Sequence, residues 1–102
     1  MILALHEALR LIHVEGIENR WKRHIETAEY LWERLEGIGM KLHVEKQYRL
    51  PSLTTVRIPE GVDAGKVVKH MMDAHKIEIA GSFAKLGGVV FRLGFMGINS
   101  KK

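Results

Sequence analysis

The chain has 102 residues, of which 46% are hydrophobic and 27% charged, the composition of a single globular domain. It has no cysteine, which excludes a disulfide framework and thiolate metal sites, and no apolar run reaches the roughly 20 residues of a membrane-spanning helix. The net charge of +4 arises in residues 51–102, where the 8 basic side chains outnumber the 4 acidic ones. The basic side chains are scattered along this half of the chain, so an ordinary solvated surface is favoured over a nucleic-acid-binding surface.

Two helices open the predicted order of elements. Apolar residues recur at helical spacing over residues 2–15 and again, more regularly, over residues 18–36. Gly16 interrupts this pattern and predicts a kink or a helix end between the two. Gly37 and Gly39 supply a stop signal, because glycine accepts the left-handed conformation that ends many helices.

After the second helix the hydrophobic pattern changes to alternation. Short strands are predicted at residues 41–44, 53–58, 77–80 and 89–94. Asp63 is a suitable N-cap for a helix over residues 64–74, and a glycine-containing loop covers residues 81–88. The order α-α-β-β-α-β-β predicts one α+β domain over residues 1–102. We expect a small, mostly antiparallel sheet of about three to four strands with helices packed on one face.

One residue of the last strand does not suit its surroundings. Alternation places Phe91 and Leu93 on one face and Arg92 with Gly94 on the other. A guanidinium keeps its charge, so burying it requires an anionic partner, and its fork of donors matches a carboxylate. Arg92 is therefore either a solvent-facing or edge position, or a clamp for a carboxylate or phosphate. Gly94 leaves room on the same face for a ligand to approach.

The other candidate sites are weaker. His6 and His13 are two helical turns apart, and His70 and His75 are five residues apart. Neither pair has the i, i+3 or i, i+4 spacing of two ligands on one helix face, so we predict no metal site. No Ser/His/Asp arrangement is evident, and the glycine-containing loop lacks the spacing of a phosphate-binding motif.

Four stretches of the sequence, taken in order, resemble the C-terminal small domain of class V pyridoxal-phosphate aminotransferases. The resemblance is strongest to the alanine–glyoxylate (serine–pyruvate) aminotransferases and runs from about residue 2 to residue 99. The stretches are residues 5–12 leading into 15–24, then 48–56, 77–81 and 91–97, the last of which reads FRLGFMG.

The resemblance implies a role for Arg92. In that family the arginine at this position grips the α-carboxylate of the amino or keto acid, with Gly94 and Gly81 as supporting residues. It implies amino transfer from alanine or serine to keto acids of the glyoxylate or pyruvate type. The cofactor, pyridoxal phosphate, and its Schiff-base lysine belong to a large domain, which is the implied partner. This chain is then expected to hold no catalytic or cofactor-binding residue and to be inactive alone.

The chain also departs from the family pattern. Family members continue past the final glycine with another helix, and they carry a compact Gly-Gly-Leu-Gly-like loop where residues 80–85 read AGSFAK. Loop conformation and substrate choice therefore stay open. We expect self-association, because the apolar surface of the first helix would otherwise be exposed.

Two other functions stay open from the sequence alone. One is a stand-alone module that binds a small carboxylate without catalysis, and the other is a basic nucleic-acid-binding domain. The first five residues lack the basic region of a signal peptide, and the SKK ending lacks the final leucine of a peroxisomal signal. We expect an intracellular setting, cytoplasmic or peroxisomal.

Overall fold

The computed structural model describes residues 1–83, 85 and 87–100 of the chain. In these residues it has an α+β fold, as predicted. The elements in chain order are α1 (Ile2–Glu15), α2 (Ile17–Gly37), a 3₁₀ turn (Lys46–Tyr48), β1 (Leu53–Arg57), α3 (Ala64–His75), β2 (Val90–Gly94) and a second 3₁₀ turn (Gly97–Asn99). Among the described residues, none of the helices combines the length and the apolar character needed to cross a membrane.

The predicted break between the two first helices is confirmed. Gly16 has a φ of 86°, a conformation that glycine adopts without steric cost and that separates α1 from α2. The corner is closed on both sides by hydrogen bonds. The side-chain amide of Asn19 donates to the carbonyl of Glu15 at 2.9 Å, and the backbone amide of Arg20 donates to the carbonyl of Gly16.

The helix predicted after Asp63 is also confirmed. The Asp63 side chain accepts a hydrogen bond from the backbone amide of Lys66 at 3.1 Å, which satisfies one of the first-turn donors that lack an intrahelical partner. α3 ends at Lys76, whose left-handed φ of 56° lets its amide and that of Ile77 bond back to the last turn of the helix.

The sheet is smaller than predicted. β1 and β2 pair antiparallel, with Leu53 opposite Gly94 and Thr55 opposite Arg92. The strands predicted at 41–44 and 77–80 were wrong as strands, since each is reduced to one isolated bridge. Leu42 bridges Val56 on the outside of β1, and Ala80 bridges Arg92 on the outside of β2.

Each of the two outer segments is diverted before it can form a longer ladder. The first bonds to β1 through Lys41 and His43, and then bends at residues 43–44 toward the 3₁₀ turn. The second leaves α3 with Ile77 still bonded to Met71, so only Ala80 reaches β2. An alternating sequence pattern gives no information about such constraints on the neighbouring backbone.

The core lies between α2 and the sheet. Ala28 and Trp32 of α2 pack against Phe95, with Leu31 and Leu42 at the edge of the cluster. The indole Nε1 of buried Trp32 donates to the hydroxyl of buried Thr54 at 2.8 Å, so a polar contact also joins helix and sheet. By contrast, α1 has no buried residue along its whole length.

Candidate functional site

Arg92 occupies an interior row of the small sheet. Its backbone pairs with Thr55 of β1 on one side, and on the other its amide donates to the carbonyl of Ala80 at 2.7 Å. It is therefore not an edge residue, and its side chain is half-buried. The backbone of Arg92 is held from both sides, so the position of its Cα is well defined.

The guanidinium of Arg92 is held at one nitrogen only. Its Nε donates to the carbonyl oxygen of Gly81 at 2.7 Å, and its Cζ lies 4.6 Å from the centre of the Phe83 ring. Stacking of this kind contributes about 0.5–1 kcal/mol at an exposed site. Within the described part of the chain, the two Nη groups have no hydrogen-bond partner and no carboxylate within 4 Å. The plane of the guanidinium is thus held by Gly81 and Phe83, while its two outer donors have no acceptor among the described residues.

A cleft of about 710 Å³ opens beside this side chain. It is formed by residues that follow α3, by β2 and by the turn after β2; the lining residues are Leu53, Lys76, Ile77, Glu78, Ala80, Arg92, Gly94, Met96 and Asn99. Two cations, Arg92 and Lys76, stand against one carboxylate, Glu78. The cleft therefore carries a net positive charge, which suits a small anion.

The two glycines predicted to support the site act differently. Gly94 lines the cleft, and a methyl group added there would meet only the flexible end of Met96, at 3.3 Å. The absence of a side chain thus leaves the space beside Arg92 open. Gly81 contributes its carbonyl oxygen to Arg92, a contact that a residue with a side chain would also offer. The loop predicted at 81–88 includes positions 84 and 86, which lie outside the described residues.

One of the two histidine pairs considered in the sequence lies close together in space. His70 and His75 on α3 bring their rings to 5.6 Å between centroids in an edge-to-face contact, closer than their five-residue spacing suggests. Both are exposed. Among the residues described, no three histidine, cysteine, aspartate or glutamate side chains form a group that could hold a metal ion.

Two groups of the Arg92 cleft can be compared with what pyridoxal phosphate requires of its site. That cofactor needs a lysine amine for its Schiff base and an acid facing its pyridinium nitrogen. The cleft contains Lys76, but this side chain is exposed and its Nζ donates to the carbonyl of Asp73 at 3.1 Å, at the end of α3. Glu78 is likewise exposed. The cleft has the form of one wall of a site, open on its other side.

Sequence reasoning missed several parts of this wall. Phe83 is the stacking partner of Arg92, yet nothing in the loop sequence GSFAKLGG distinguishes it as a contact of that side chain. Lys76, Met96 and Asn99 reach the cleft from the end of α3 and from the turn after β2. Only their proximity in the folded chain identifies them, because nothing in their local sequence predicts a shared site.

Several known proteins resemble this chain over nearly its whole length. No protein-family model matches the chain. Alanine–glyoxylate aminotransferase of Felis catus is 40% identical over 102 residues, which are 99% of this chain and 25% of the cat protein. The (S)-ureidoglycine–glyoxylate transaminase of Bacillus subtilis is 35% identical over the whole chain, and the chain covers 24% of it. The chain thus spans about a quarter of the length of the curated relatives it matches.

Solved structures give the same result at the level of the fold. The crystal structure of alanine–glyoxylate aminotransferase from Nostoc sp. superposes with a TM-score of 0.93 and 57% identity over 96% of this chain and 26% of its own. Pyridoxamine–pyruvate aminotransferase from Mesorhizobium loti gives a TM-score of 0.86 at 26% identity. The resemblance seen in the sequence is confirmed: over nearly its whole length the chain corresponds to a small piece, about a quarter of the full length, of an alanine–glyoxylate-type aminotransferase.

Proposed function

We propose that this chain is the substrate-carboxylate-binding small domain of a pyridoxal-phosphate-dependent aminotransferase, with Arg92 as the carboxylate-binding residue. The observation that carries the proposal is the geometry of Arg92. One nitrogen is anchored on Gly81, one face lies on Phe83, and both Nη groups are left for a ligand in a positively charged cleft.

The anchored guanidinium suits a carboxylate in particular. Two parallel N–H donors of an arginine match the two oxygens of a carboxylate in a bidentate pair. Because Nε is already bonded and the plane is stacked, little side-chain freedom is lost when the ligand binds. A carboxylate held in this way fixes the direction of the bond to its α-carbon, and such orientation is how binding contributes to reaction rate.

The proposed substrates are small amino acids and 2-oxo acids. The relatives are named for alanine and glyoxylate, for ureidoglycine and glyoxylate, and for pyridoxamine and pyruvate, so each name includes a small 2-oxo acid. The open space beside Gly94 suits a short substrate. When bound, pyridoxal phosphate would supply the electron sink for amino transfer, and this chain would supply the orientation of the carboxylate.

The proposed partner is the large domain that makes up the remaining length of such enzymes. The relatives are about four times as long as this chain, and the cleft at Arg92 is open on one side. We also propose that the chain self-associates, because α1 exposes Leu5 and Leu9 at 59% and 56% of their surface. The cytoplasmic or peroxisomal setting stays a prediction.

The experiment is a titration of the ¹⁵N-labelled chain with pyruvate, glyoxylate and alanine, followed by NMR. We expect binding with a dissociation constant on the order of 1 mM, equivalent to about 4 kcal/mol, with the largest shifts at Arg92, Gly81 and Gly94. Arg92→Ala should weaken binding at least tenfold, by roughly the 1.5–3 kcal/mol of a hydrogen bond to a charged group.

Arg57→Ala is the matched control. Arg57 is an exposed arginine on the neighbouring strand, and it does not line the cleft. It should leave the titration unchanged. Equal binding of the carboxylates by the wild type and Arg92→Ala would contradict the proposal. Tight, steeply salt-dependent binding of nucleic acid without carboxylate binding would favour the nucleic-acid alternative instead.

A further inference from the structure

A second arginine joins three segments that are far apart in sequence. Arg23 lies in the second turn of α2 and is half-buried. Its Nε donates to Glu15 Oε1 at 2.5 Å, and its Nη2 donates to Glu15 Oε2 at 3.2 Å. Its Nη1 donates to the backbone carbonyls of Gly97 at 2.9 Å and of Ser100 at 2.5 Å. One guanidinium thus connects the end of α1, the start of α2 and the turn that follows β2.

Glu15 fixes the orientation of Arg23. Its carboxylate accepts hydrogen bonds from two nitrogens of Arg23 and, at 3.0 Å, from the Nη1 of Arg20. The hydrogen bond to Arg23 lowers the pKa of the Glu15 carboxyl below its ordinary value and raises the pKa of Arg23. With two nitrogens committed to Glu15, the remaining one faces the turn at 97–100.

The turn at 97–100 depends on this contact. Gly97 has a φ of 60°, and within the turn the amides of Asn99 and Ser100 reach the carbonyls of Met96 and Gly97 at 3.2 and 3.3 Å, which are long hydrogen bonds. Ser100 is fully buried, and its hydroxyl has no hydrogen-bond partner among the described residues. Both carbonyls that Arg23 binds belong to this turn, so among the described residues Arg23 supplies its side-chain hydrogen bonds to the helices.

The same turn supplies one wall of the Arg92 cleft. Met96 and Asn99 line the cleft together with Gly94, and the end of the Met96 side chain lies beside Gly94. Moving the turn would therefore move two of the residues that face the proposed ligand.

We infer that Arg23 is a positioning residue for the Arg92 cleft: held by Glu15, it fixes the turn 97–100 and with it the Met96–Asn99 wall. The functional part of this inference rests on the proposed function, since the wall matters for a ligand only if the cleft binds one. The geometric part stands by itself and can be measured without a ligand.

The test compares Arg23→Gln with Arg10→Gln. Arg10 is the matched control because it makes the same kind of two-pronged pair, with Glu7 at 2.6 and 2.7 Å, but joins only residues of α1. In Arg23→Gln we expect amide-proton exchange at Asn99 and Ser100 to be about tenfold faster, as local opening becomes easier. We expect pyruvate to bind about tenfold more weakly, as misplacement of a site wall reduces productive contacts. Arg10→Gln should change neither.

Each outcome separates the inference from the proposed function. If the wild type binds pyruvate and Arg23→Gln binds it equally well, with Asn99 and Ser100 unchanged, the inference is wrong and the proposed function stands. If the wild type does not bind pyruvate, the proposed function is wrong, and exchange at Asn99 and Ser100 alone decides whether Arg23 holds the wall. Should Arg23→Gln fail to fold, Glu15→Gln tests the same contact from its other end and should give the same pattern to a smaller extent.

Discussion

At the scale of single residues, the fold depends on a few polar contacts placed inside apolar surroundings. Trp32 is buried to 8% exposure, and its indole N–H reaches the Thr54 hydroxyl, which is itself 4% exposed. The guanidinium of Arg49 lies 5.3 Å from the centre of the Trp32 ring and covers one of its faces. Because a buried donor without an acceptor is costly, this hydrogen bond favours the observed position of Trp32 against β1.

Replacing Thr54 with valine should destabilise the domain. Valine keeps the shape and the strand preference of threonine but leaves the Trp32 N–H without its acceptor, so we expect a loss of about 1–3 kcal/mol in the free energy of unfolding. Urea denaturation followed by tryptophan fluorescence measures it. Thr55→Val is the control, since Thr55 is half-buried on the same strand and its hydroxyl makes no hydrogen bond to a described residue. Equal effects of the two variants would mean that the hydrogen bond is not responsible.

Arg92 shows how far sequence reasoning reaches at this scale. A permanent cation in an apolar strand marks the residue from its type and neighbours alone. Its contacts with Gly81 and Phe83 could not be predicted in the same way, because they depend on the path of a loop whose conformation no periodic pattern determines. The position of Gly94 in the same cleft could be predicted, because alternation places it on the same face of the strand.

At the scale of elements, residues at the ends of helices and strands determine where each element begins and ends, which a hydrophobic pattern alone does not. Apolar periodicity located α1, α2 and α3 to within one or two residues, since each helix has a clear start or stop signal in Gly16, Gly37 or Asp63. The prediction of strands at 41–44 and 77–80 was wrong because alternation of apolar and polar residues indicates only that a segment is compatible with a sheet. Whether its backbone finds a partner depends on the chain on either side, and Ile77 is still bonded to α3.

The end of α3 offers a test of backbone strain. Lys76 is the only described residue other than glycine with a positive φ. A left-handed conformation costs a residue with a side chain roughly 1–2 kcal/mol, and glycine avoids most of this cost. We therefore expect Lys76→Gly to unfold at a higher urea concentration than Lys76→Ala, with a difference of about 1 kcal/mol.

Comparing these two variants removes the contribution of the lysine side chain. Both lose the hydrogen bond from Lys76 Nζ to the carbonyl of Asp73, so only the backbone preference differs between them. If Lys76→Ala proved as stable as Lys76→Gly, the left-handed conformation at this helix end would not be strained.

The stabilisation that the Glu15 carboxylate provides between α1 and α2 should decrease in acid. The pKa of Glu15 is lowered from 4.5, first by its hydrogen bond to Arg23, so its carboxylate stabilises the fold above that value. This stabilisation is lost as the pH falls through the folded-state pKa, which lies below 4.5. We expect Glu15→Gln to be less stable than the wild type at about pH 6, and the difference to shrink by about pH 3.

Urea midpoints across this pH range measure the difference between the two proteins. All the other ionisable groups are common to both proteins, so their contributions cancel to first order in the difference. A difference that stayed constant down to the acid end would show that Glu15 does not act through its charge.

At the scale of the whole molecule, α1 stands out because it has no fully buried residue and the described chain leaves most of its apolar side chains exposed. Leu5, Leu9 and Leu11 each expose more than half of their surface, and Ile17 and Trp21 extend the apolar surface onto α2. Leu5 and Leu9 share one face of α1, and exposed apolar side chains grouped in this way are typical of a surface that contacts another protein or domain. About three quarters of each relative lies outside the match, and the proposed large domain would come from that part.

In isolation, the chain should therefore associate with itself through α1. We expect light scattering or sedimentation to give a mass above 11.6 kDa that rises with protein concentration. Leu5→Gln combined with Leu9→Gln should return it to a monomer, because the two leucines lie on one face of α1, one turn apart, and removing their apolar surface removes the gain from burial. Lys22→Gln combined with Glu26→Gln is the control, since it alters an exposed ion pair one turn apart on α2 without changing the apolar surface. A wild-type chain that stays monomeric at high concentration would show that the exposed face of α1 is tolerated in water, and would leave the large domain as its only proposed partner.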